Sequence, residues 1–248
     1  MFFSKKASGK VKTIDEVLSN DNFDQLSVDL VDMDFALVGG DHFEVHYHGP
    51  EDKKPIVTNV GKVLELKEPK VERKNGKFWE KAGIQINIVG RDDVGMLKVT
   101  IPINQKLTNT TIKITSGDAV IKQVGLETLI FTSVSGDLSL QKVKADEVAM
   151  TETSGDIKLE KVLVDHGKIN LVSGDCTIQD SQILTELKAM TTSGDNLAKN
   201  IEVDQCDLQT VSGDNLIFGG RASHAQIGKE LNGSSLTLST LSGDNTVK

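Results

Sequence analysis

Apolar residues recur at fixed positions around a repeated Ser-Gly-Asp in the second half of the chain. The residue four positions before each Ser is always apolar, as in Ile112 and Phe131. The first and third residues after the Asp are apolar in the first four copies, as in Leu138 and Leu140. An apolar residue at every second position is typical of a β-strand that buries one face. Each unit is therefore predicted to contain a strand, a sharp corner and a second strand.

Successive Ser-Gly-Asp corners are almost equally spaced, with one extra residue between Ser173 and Ser193 and a much longer last interval, between Ser212 and Ser242. A nearly constant period with two short strands per unit is typical of a solenoid, in which neighbouring parallel strands lie about 4.8 Å apart. We therefore expect an all-β fold, a parallel β-helix or β-solenoid with coils of about 19 residues. The predicted structural turns are Ser116, Gly117, Asp118, Ser135, Gly136, Asp137, Ser154, Gly155, Asp156, Ser173, Gly174, Asp175, Ser193, Gly194, Asp195, Ser212, Gly213, Asp214, Ser242, Gly243 and Asp244.

The corner residues have chemistry that suits a turn. Gly permits a positive φ, and an Asp carboxylate can accept backbone N–H groups at its own corner. Stacking would also place a column of carboxylates about 4.8 Å apart, where each pair repels by about 1 kcal/mol even in water. Calcium ions between the coils are an alternative way to offset this repulsion, because calcium prefers oxygen ligands. Seven equal copies do not suit a catalytic site, which needs one asymmetric arrangement.

The chain is predicted to consist of a short N-terminal segment and one domain. The N-terminal segment, residues 1–22, is a tail or a capping helix, and residues 23–248 form a single β-solenoid domain. This domain has irregular first coils at 23–109, with a charged insertion at 49–83, and regular Ser-Gly-Asp repeats at 110–248.

The helix is suggested by a capping box. Thr13 and Glu16 have the spacing of this motif, and Ile14, Val17 and Leu18 would lie on one side of a short helix. Such a helix would cover the open end of a stack of strands.

The last three repeats differ from the others directly after the Asp. They have Asn196, Asn215 and Asn245 where the earlier copies have Ala, Leu, Ile or Cys. Stacked Asn side chains can bond to one another along a solenoid. A longer corner that shifts the register of the strand is the other interpretation, and the longer interval between Ser173 and Ser193 favours it.

Three histidines lie within the eight-residue segment DHFEVHYH at residues 41–48. His42, Glu44, His46 and His48 alternate with apolar and aromatic residues, so they would lie on one face of a strand. Two His residues two positions apart on a strand can share a metal ion. His46 and His48, with Glu44 as a third ligand, are therefore the candidate metal ligands. The alternative is an exposed polar face without a ligand.

Composition narrows the classes of function. The net charge of −8 and the pI near 5.2 argue against a nucleic-acid partner, which usually meets a basic surface. The only cysteines, Cys176 and Cys206, are expected to be buried thiols.

Neither a signal peptide nor a transmembrane segment is apparent, which suggests a cytoplasmic protein. No P-loop, G-x-S-x-G or H-E-x-x-H motif occurs, so neither a cofactor nor an enzymatic activity is expected.

The units VSGDLSLQKV (134–143) and TSGDIKLEKV (153–162), preceded by the strand VTIP at 99–102, resemble the bacterial putative-adhesin β-strand-repeat family. The resemblance covers about residues 25–248. It implies a parallel β-solenoid in the cell envelope or at the cell surface, and it implies no established enzymatic activity.

These observations favour a non-enzymatic β-solenoid that acts as an adhesin-like or envelope-associated binding module. Its partner would be a protein or another cell-surface ligand, and a homo-oligomer could form through exposed solenoid ends. A cytoplasmic scaffold is one alternative function. A carbohydrate-active β-helix enzyme is another, although aromatic residues, on which sugar rings usually stack, make up only 4% of the chain.

Overall fold

The structure is a computed structural model that describes residues 12–69, 94–218 and 235–247. Its strands are β1 (Thr13–Ser19), β2 (Gln25–Leu30), β3 (Asp34–Gly40), β4 (Glu44–Pro50), β5 (Ile56–Val60), β6 (Val63–Lys67), β7 (Met96–Pro102), β8 (Lys106–Ser116), β9 (Ala119–Lys122), β10 (Gly125–Ser135), β11 (Leu138–Gln141), β12 (Lys144–Ser154), β13 (Ile157–Glu160), β14 (Leu163–Ser173), β15 (Cys176–Gln179), β16 (Gln182–Ser193), β17 (Asn196–Lys199), β18 (Glu202–Ser212), β19 (Asn215–Phe218), β20 (Ser235–Ser242) and β21 (Asn245–Val247). A 3-10 helix covers Glu51–Lys53.

Two sheets of stacked strands form the β-solenoid. An eleven-stranded sheet, which we call sheet A, has the order β1-β4-β7-β3-β9-β11-β13-β15-β17-β19-β21. A ten-stranded sheet, sheet B, has the order β20-β18-β16-β14-β12-β10-β8-β2-β6-β5. From β8 onward the neighbouring strands are parallel and the serines of successive corners pair, as Ser116, Ser135 and Ser154 do. The predicted parallel β-solenoid, in which each Ser-Gly-Asp unit forms one coil, is therefore confirmed.

Each regular coil contains a long strand, the Ser-Gly-Asp corner, a four-residue strand and a second corner. At the second corner a residue with positive φ precedes a buried one, as in Lys142 (φ 54°) followed by Val143. The left-handed conformation is uncommon for a residue other than Gly. This corner is not apparent in the sequence, because its residue with positive φ varies among Gln, Lys, Asp and Asn.

The core consists of columns of like side chains inside the coils, as the alternation predicted. The column four residues before each Ser contains Ile112, Phe131, Met150, Ile169, Ala189 and Leu208, all buried. A buried apolar side chain contributes roughly 1.5–3 kcal/mol relative to an exposed one. Because each coil contributes the same few positions to the core, adjacent coils depend on one another for stability.

Antiparallel strands close the N-terminal end of the solenoid. β1 pairs antiparallel with β4, and β5 pairs antiparallel with β6. The predicted capping helix is therefore wrong, since Thr13–Ser19 is a strand with Ile14 buried against the core. Pairing with β4 satisfies the backbone of this segment and overrides the local helix signal.

The solenoid begins before the first Ser-Gly-Asp. β2 pairs with β8 and β3 pairs with β9, so these two strands form a first coil. The described part of the 49–83 insertion contains the 3-10 helix and the hairpin β5–β6, whose strand β6 extends sheet B beside β2. The rest of the insertion lies outside the described residues.

The longer interval between Ser173 and Ser193 does not come from a longer corner. β16 has 12 residues, and its register with β14 and β18 shifts between Ile183 and Glu186. The extra residue is therefore a bulge within the long strand, and the corner at Ser193 keeps its register.

The Asn residues of the later repeats stack as the first interpretation predicted. Asn196 Nδ2 donates to Asn215 Oδ1 at 2.9 Å and to the Gln209 carbonyl at 3.0 Å, while Thr191 Oγ1 donates to Asn196 Oδ1 at 2.9 Å. Both Asn side chains are buried. Residues 219–234, which lengthen the last interval, are outside the described residues, and β20 resumes with Ser242 beside Ser212.

Candidate functional site

The corner carboxylates form a ladder of hydrogen bonds between coils. Oδ1 of each Asp accepts the backbone N–H of the corresponding Asp in the next coil, for example Asp118 to Asp137 at 2.9 Å and Asp195 to Asp214 at 2.8 Å. The expectation that each Asp bonds at its own corner is therefore wrong. Charge-assisted bonds of this kind contribute about 1.5–3 kcal/mol each, which outweighs the repulsion of about 1 kcal/mol between neighbouring carboxylates in water.

The ladder has one member that the sequence analysis missed. Asp34 Oδ1 accepts the backbone N–H of Asp118 at 3.0 Å and so begins the ladder in the first coil. No Ser-Gly precedes Asp34, because Asp32 and Met33 stand there instead. The remaining signal was the apolar pair Phe35 and Leu37, at the first and third positions after the Asp.

The corner glycines are required by the stacking. Gly155 has φ 141°, and a Cβ placed on it would lie 2.0 Å from the carbonyl oxygen of Gly136 in the preceding coil. No side chain fits at that distance. The described Ser-Gly-Asp corners therefore hold the coils together.

The histidine segment places the predicted metal ligands His46 and His48 beside one carboxylate, whereas Glu44 contacts another histidine. His46 Nε2 lies 2.5 Å from Oδ1 of Asp15, and His48 Nδ1 lies 3.4 Å from Oδ2 of the same carboxylate. Glu44 Oε2 instead lies 3.5 Å from His42 Nε2. Sequence reasoning missed Asp15 because it is on β1, where it pairs with His48 across the sheet.

Metal binding by His46, His48 and Glu44 stays a prediction. Within residues 12–69, 94–218 and 235–247, no three His, Cys, Asp or Glu side chains are arranged to hold a metal ion. A titration with Zn²⁺ that gave no heat of binding would contradict the prediction.

A polar cleft of about 710 Å³, which we call the corner cleft, lies where the N-terminal strands meet the first corners. Its lining includes Asp32, Asp34, His48, Lys53 and Asp118. Lys53 Nζ lies 2.9 and 3.0 Å from the Asp32 carboxylate oxygens, and Asp34 is occupied by the ladder. These contacts give the charged groups of the cleft structural roles.

Glu68 supports the wall of the corner cleft. Its carboxylate accepts the backbone N–H groups of Val31 at 2.6 Å and Asp32 at 3.1 Å, which holds the bend between β2 and β3. Burial raises the pKa of the Glu68 carboxyl, with a further contribution from the nearby Asp32.

A second concave surface, which we call the sheet groove, lies on the outer face of sheet B. It has a volume of about 490 Å³. The outward side chains along it come from five neighbouring strands, β12, β14, β16, β18 and β20. They are Thr151, Thr153, Asn170, Val172, Met190, Thr192, Gln209, Val211 and Leu241.

The sheet groove exposes large apolar side chains. Val172, Met190 and Val211 are each about half exposed, and Leu241 is 84% exposed. In the part of the chain that the structure describes, the groove's outward side chains are uncharged. An exposed, uncharged and partly apolar concavity is typical of a ligand-binding or docking surface.

The sheet groove was not predicted from the sequence, although the sequence contains a signal for it. The residue directly before the Ser alternates between Thr and Val through the first six copies, as in Thr153 and Val172. Strand alternation places this position on the face opposite the buried column, so each Val there is exposed. The concavity itself depends on how neighbouring coils are stacked.

The two cysteines are buried, as predicted. Burial raises the pKa of each thiol, Cys176 and Cys206, to about 12. Both are therefore protonated and weakly nucleophilic near neutral pH.

In the described segments, no helix is long and apolar enough to cross a membrane. The model of the Toastrack DUF4097 family matches residues 7–248. No curated protein matches the chain.

Two of the twelve solved chains that match illustrate the likeness of fold. One is a putative adhesin from Bacteroides fragilis, which is 14% identical and has a TM-score of 0.60, with 94% of this chain and 96% of that chain covered. The other is a protein from Parabacteroides distasonis named as a putative lipid binding protein, also 14% identical, with a TM-score of 0.52 and with 97% and 98% of the two chains covered. At this identity the likeness shows the fold alone.

Proposed function

The chain belongs to the Toastrack DUF4097 family, and from this premise we propose that it is a non-enzymatic β-solenoid binding module of the cell envelope. The sheet groove is its docking surface. The ligand is an uncharged, extended apolar segment, for which the acyl chain of an envelope lipid is the best candidate. The observation that carries the proposal is the row of exposed apolar side chains in a concavity whose outward side chains are uncharged, in a chain with a net charge of −8.

The dimensions of the sheet groove suit an extended chain. Five neighbouring strands line it, so it runs for roughly 20 Å along the solenoid axis. Val172 and Val211 lie two coils apart with Thr192 between them by register, and Met190 lies in the neighbouring column of the same surface. Each methylene that leaves water contributes about 0.8 kcal/mol, so a partly covered acyl chain would bind measurably. The name of the Parabacteroides distasonis protein, which mentions lipid binding, agrees with this class of ligand.

Enzymatic alternatives have less support. A carbohydrate-active β-helix enzyme needs a pair of carboxyl groups free to act as acid and base. In the corner cleft, Asp32 is paired with Lys53, and Asp34 accepts a backbone N–H in the ladder.

A cytoplasmic scaffold would use the same sheet groove for a protein partner. Fractionation of cells that contain the native protein would distinguish such a scaffold from an envelope module.

The test is a binding titration with lysophosphatidylcholine, a single-chain lipid without net charge, below its critical micelle concentration. The matched variants are Val172→Asp with Val211→Asp, and Val134→Asp as the control. Val134 is in the same column with the same exposure, 53% against 52% for Val172, and does not line the groove. We expect the wild type to bind independently of salt concentration, the double variant to bind at least tenfold more weakly, and the control to bind normally.

Two results would overturn this proposal. Either the wild type binds no more lipid than the double variant, or Val134→Asp weakens binding as strongly as the groove substitutions. A parallel array of neutral glycans distinguishes the ligand class: glycan binding that the double variant loses, without lipid binding, would retain the groove and reject the acyl chain.

A further inference from the structure

Glu152 places a carboxyl group inside the third regular coil. It lies on β12 two residues before Ser154, at an interior position that Ile114, Ser133, Leu171 and Thr191 occupy in other coils. By register it lies between Ser133 of β10 and Leu171 of β14. It is the one ionisable residue in this column among the described coils.

Neither carboxyl oxygen of Glu152 has a hydrogen-bond partner in the described structure, and both are shielded from solvent. Glu152 Oε1 points at the corner. It lies 2.4 Å from the position that a Cβ of Gly155 would take, and the carbonyl oxygen of Gly136 lies 2.0 Å from the same point. The two oxygens therefore both lie beside this one point, at the junction between the second and third Ser-Gly-Asp corners.

In the described structure, the charged groups that act on Glu152 are acidic. The corners place the carboxylates of Asp118, Asp137 and Asp156 near it, and each of them disfavours its ionised form. The strands on either side contribute the uncharged Ser133 and Leu171. Burial, reinforced by these three carboxylates, raises the pKa of Glu152 to about 8.

We propose that Glu152 is a pH-sensitive latch that closes the corner in its protonated form and opens it when it ionises. As a carboxylic acid, Glu152 donates its proton to the carbonyl oxygen of Gly136 and ties the third coil to the second. After loss of the proton to solvent, two acceptors face one another beside three carboxylates. An unpaired buried charge is then relieved by admitting water, which separates Gly155 from Gly136 locally.

The direction of the pH effect follows from the raised pKa. The folded chain holds the Glu152 proton more tightly than the unfolded chain, where a Glu carboxyl titrates near 4.3. Between about pH 4.5 and pH 8, unfolding therefore releases this proton, and the contribution of Glu152 to stability falls as pH rises. Above about pH 8 the folded form has also lost the proton, so this dependence ends while the corner stays open.

The first test compares unfolding by urea at pH 4.5 to 9 for the wild type, Glu152→Gln and Glu147→Gln. Gln keeps the shape of Glu152 and donates without ionising, while Glu147 is an exposed Glu of the same strand and serves as the control. Relative to Glu152→Gln, the unfolding constant of the wild type should rise by up to about tenfold per pH unit through this range. Glu147→Gln should follow the wild type. Parallel pH profiles for the wild type and Glu152→Gln would overturn the proposal.

A second measurement locates the opening. Gly136 N–H donates to the Ser154 carbonyl, and Gly155 N–H donates to the Ser173 carbonyl, so both amides report on the corner. At pH 8.5 they should exchange hydrogen at least tenfold faster in the wild type than in Glu152→Gln, with no difference at the distant Gly213. Equal exchange at Gly136 and Gly155 in the two proteins would also overturn the latch, even if overall stability differed.

Discussion

Asp175 Oδ1 accepts the backbone N–H of Asp195 at 2.8 Å, across the junction that contains the extra residue of the longer repeat. The ladder is thus continuous through the bulge in β16. The bond joins a side chain of one coil to the backbone of the next, so it can form only when the two coils are aligned at this corner. The effect of the acceptor and the effect of its charge can be separated by substitution.

Replacing Asp175 tests the role of this acceptor. Asp175→Ala should lower the free energy of unfolding by about 1–3 kcal/mol, because it removes a charge-assisted bond and leaves the Asp195 N–H without its partner. Asp175→Asn keeps a carbonyl acceptor and removes one charge from the column, so it should cost less than the Ala variant. Chemical denaturation of the two variants makes the comparison, and equal losses would show that the charge matters more than the bond.

The corner glycines should be far less tolerant of substitution than a glycine in an open turn. Gly174→Ala would place Cβ 2.0 Å from the Gly155 carbonyl oxygen and should cost more than about 3 kcal/mol or prevent folding. Gly61 is the control, because it also has a positive φ, 59°, but nothing lies within 4 Å of its Cβ position. Gly61→Ala should cost only about 1 kcal/mol. Similar thermal stability of the two variants would contradict the close stacking of the corners.

The Asn pair can be tested by a double-mutant cycle. Asn196→Leu alone should be strongly destabilising, by about 2–3 kcal/mol, because it removes the amide that donates to the buried Asn215 Oδ1 and to the Gln209 carbonyl. Adding Asn215→Leu should recover part of this loss, since earlier coils carry apolar residues in the same column. Additive losses in urea denaturation would show that the two side chains are not coupled.

The contact between His42 and Asp41, which lie between β3 and β4, can be tested by titrating the His42 ring. Its ring bonds to Asp41, and together with Glu44 this raises the pKa of His42 above its usual value. An NMR titration should find the midpoint above that of an unperturbed His, about 6.5, and Asp41→Asn should lower it. Because the folded pKa is raised, any stabilisation by this pair is complete below the unfolded pKa and is lost as pH rises through the folded pKa. A midpoint unaffected by Asp41→Asn would contradict the contact.

The regular half of the fold could be predicted from the sequence because each coil repeats the same pattern of apolar residues around a Ser-Gly-Asp. Alternating apolar residues on both sides of a Ser-Gly-Asp specify two strands and a corner, and the constant period specifies their stacking. The irregular N-terminal strands were harder to predict from the sequence. β1 was expected to be a helix because its local signal was helical, while the strand β4 that pairs with it comes only after β2 and β3 in the chain.

The candidate site was less predictable than the fold, for a physical reason. A groove depends on the lateral packing of side chains from five coils, and no single unit shows it. Asp15 likewise joins His46 and His48 only through strand pairing, and Asp34 joins the ladder without the Ser-Gly that marks the other corners. By contrast, the stacking of Asn196 on Asn215 was one of two interpretations of the sequence, because equivalent residues of parallel coils lie side by side.

The central claim is that an apolar ligand occupies the sheet groove, and a site-specific fluorescent probe tests it most directly. Thr192→Cys places a thiol in the groove, and Thr115→Cys places one in the same column outside it. The buried Cys176 and Cys206 should not react with a thiol-specific dye, because their thiol pKa values are raised to about 12.

With an environment-sensitive dye on each engineered thiol, lysophosphatidylcholine is titrated into both proteins below its critical micelle concentration. We predict that the emission of the dye at position 192 shifts to shorter wavelength and saturates, while the dye at position 115 does not respond. An equal response at both positions, or none at position 192, would contradict binding in the sheet groove.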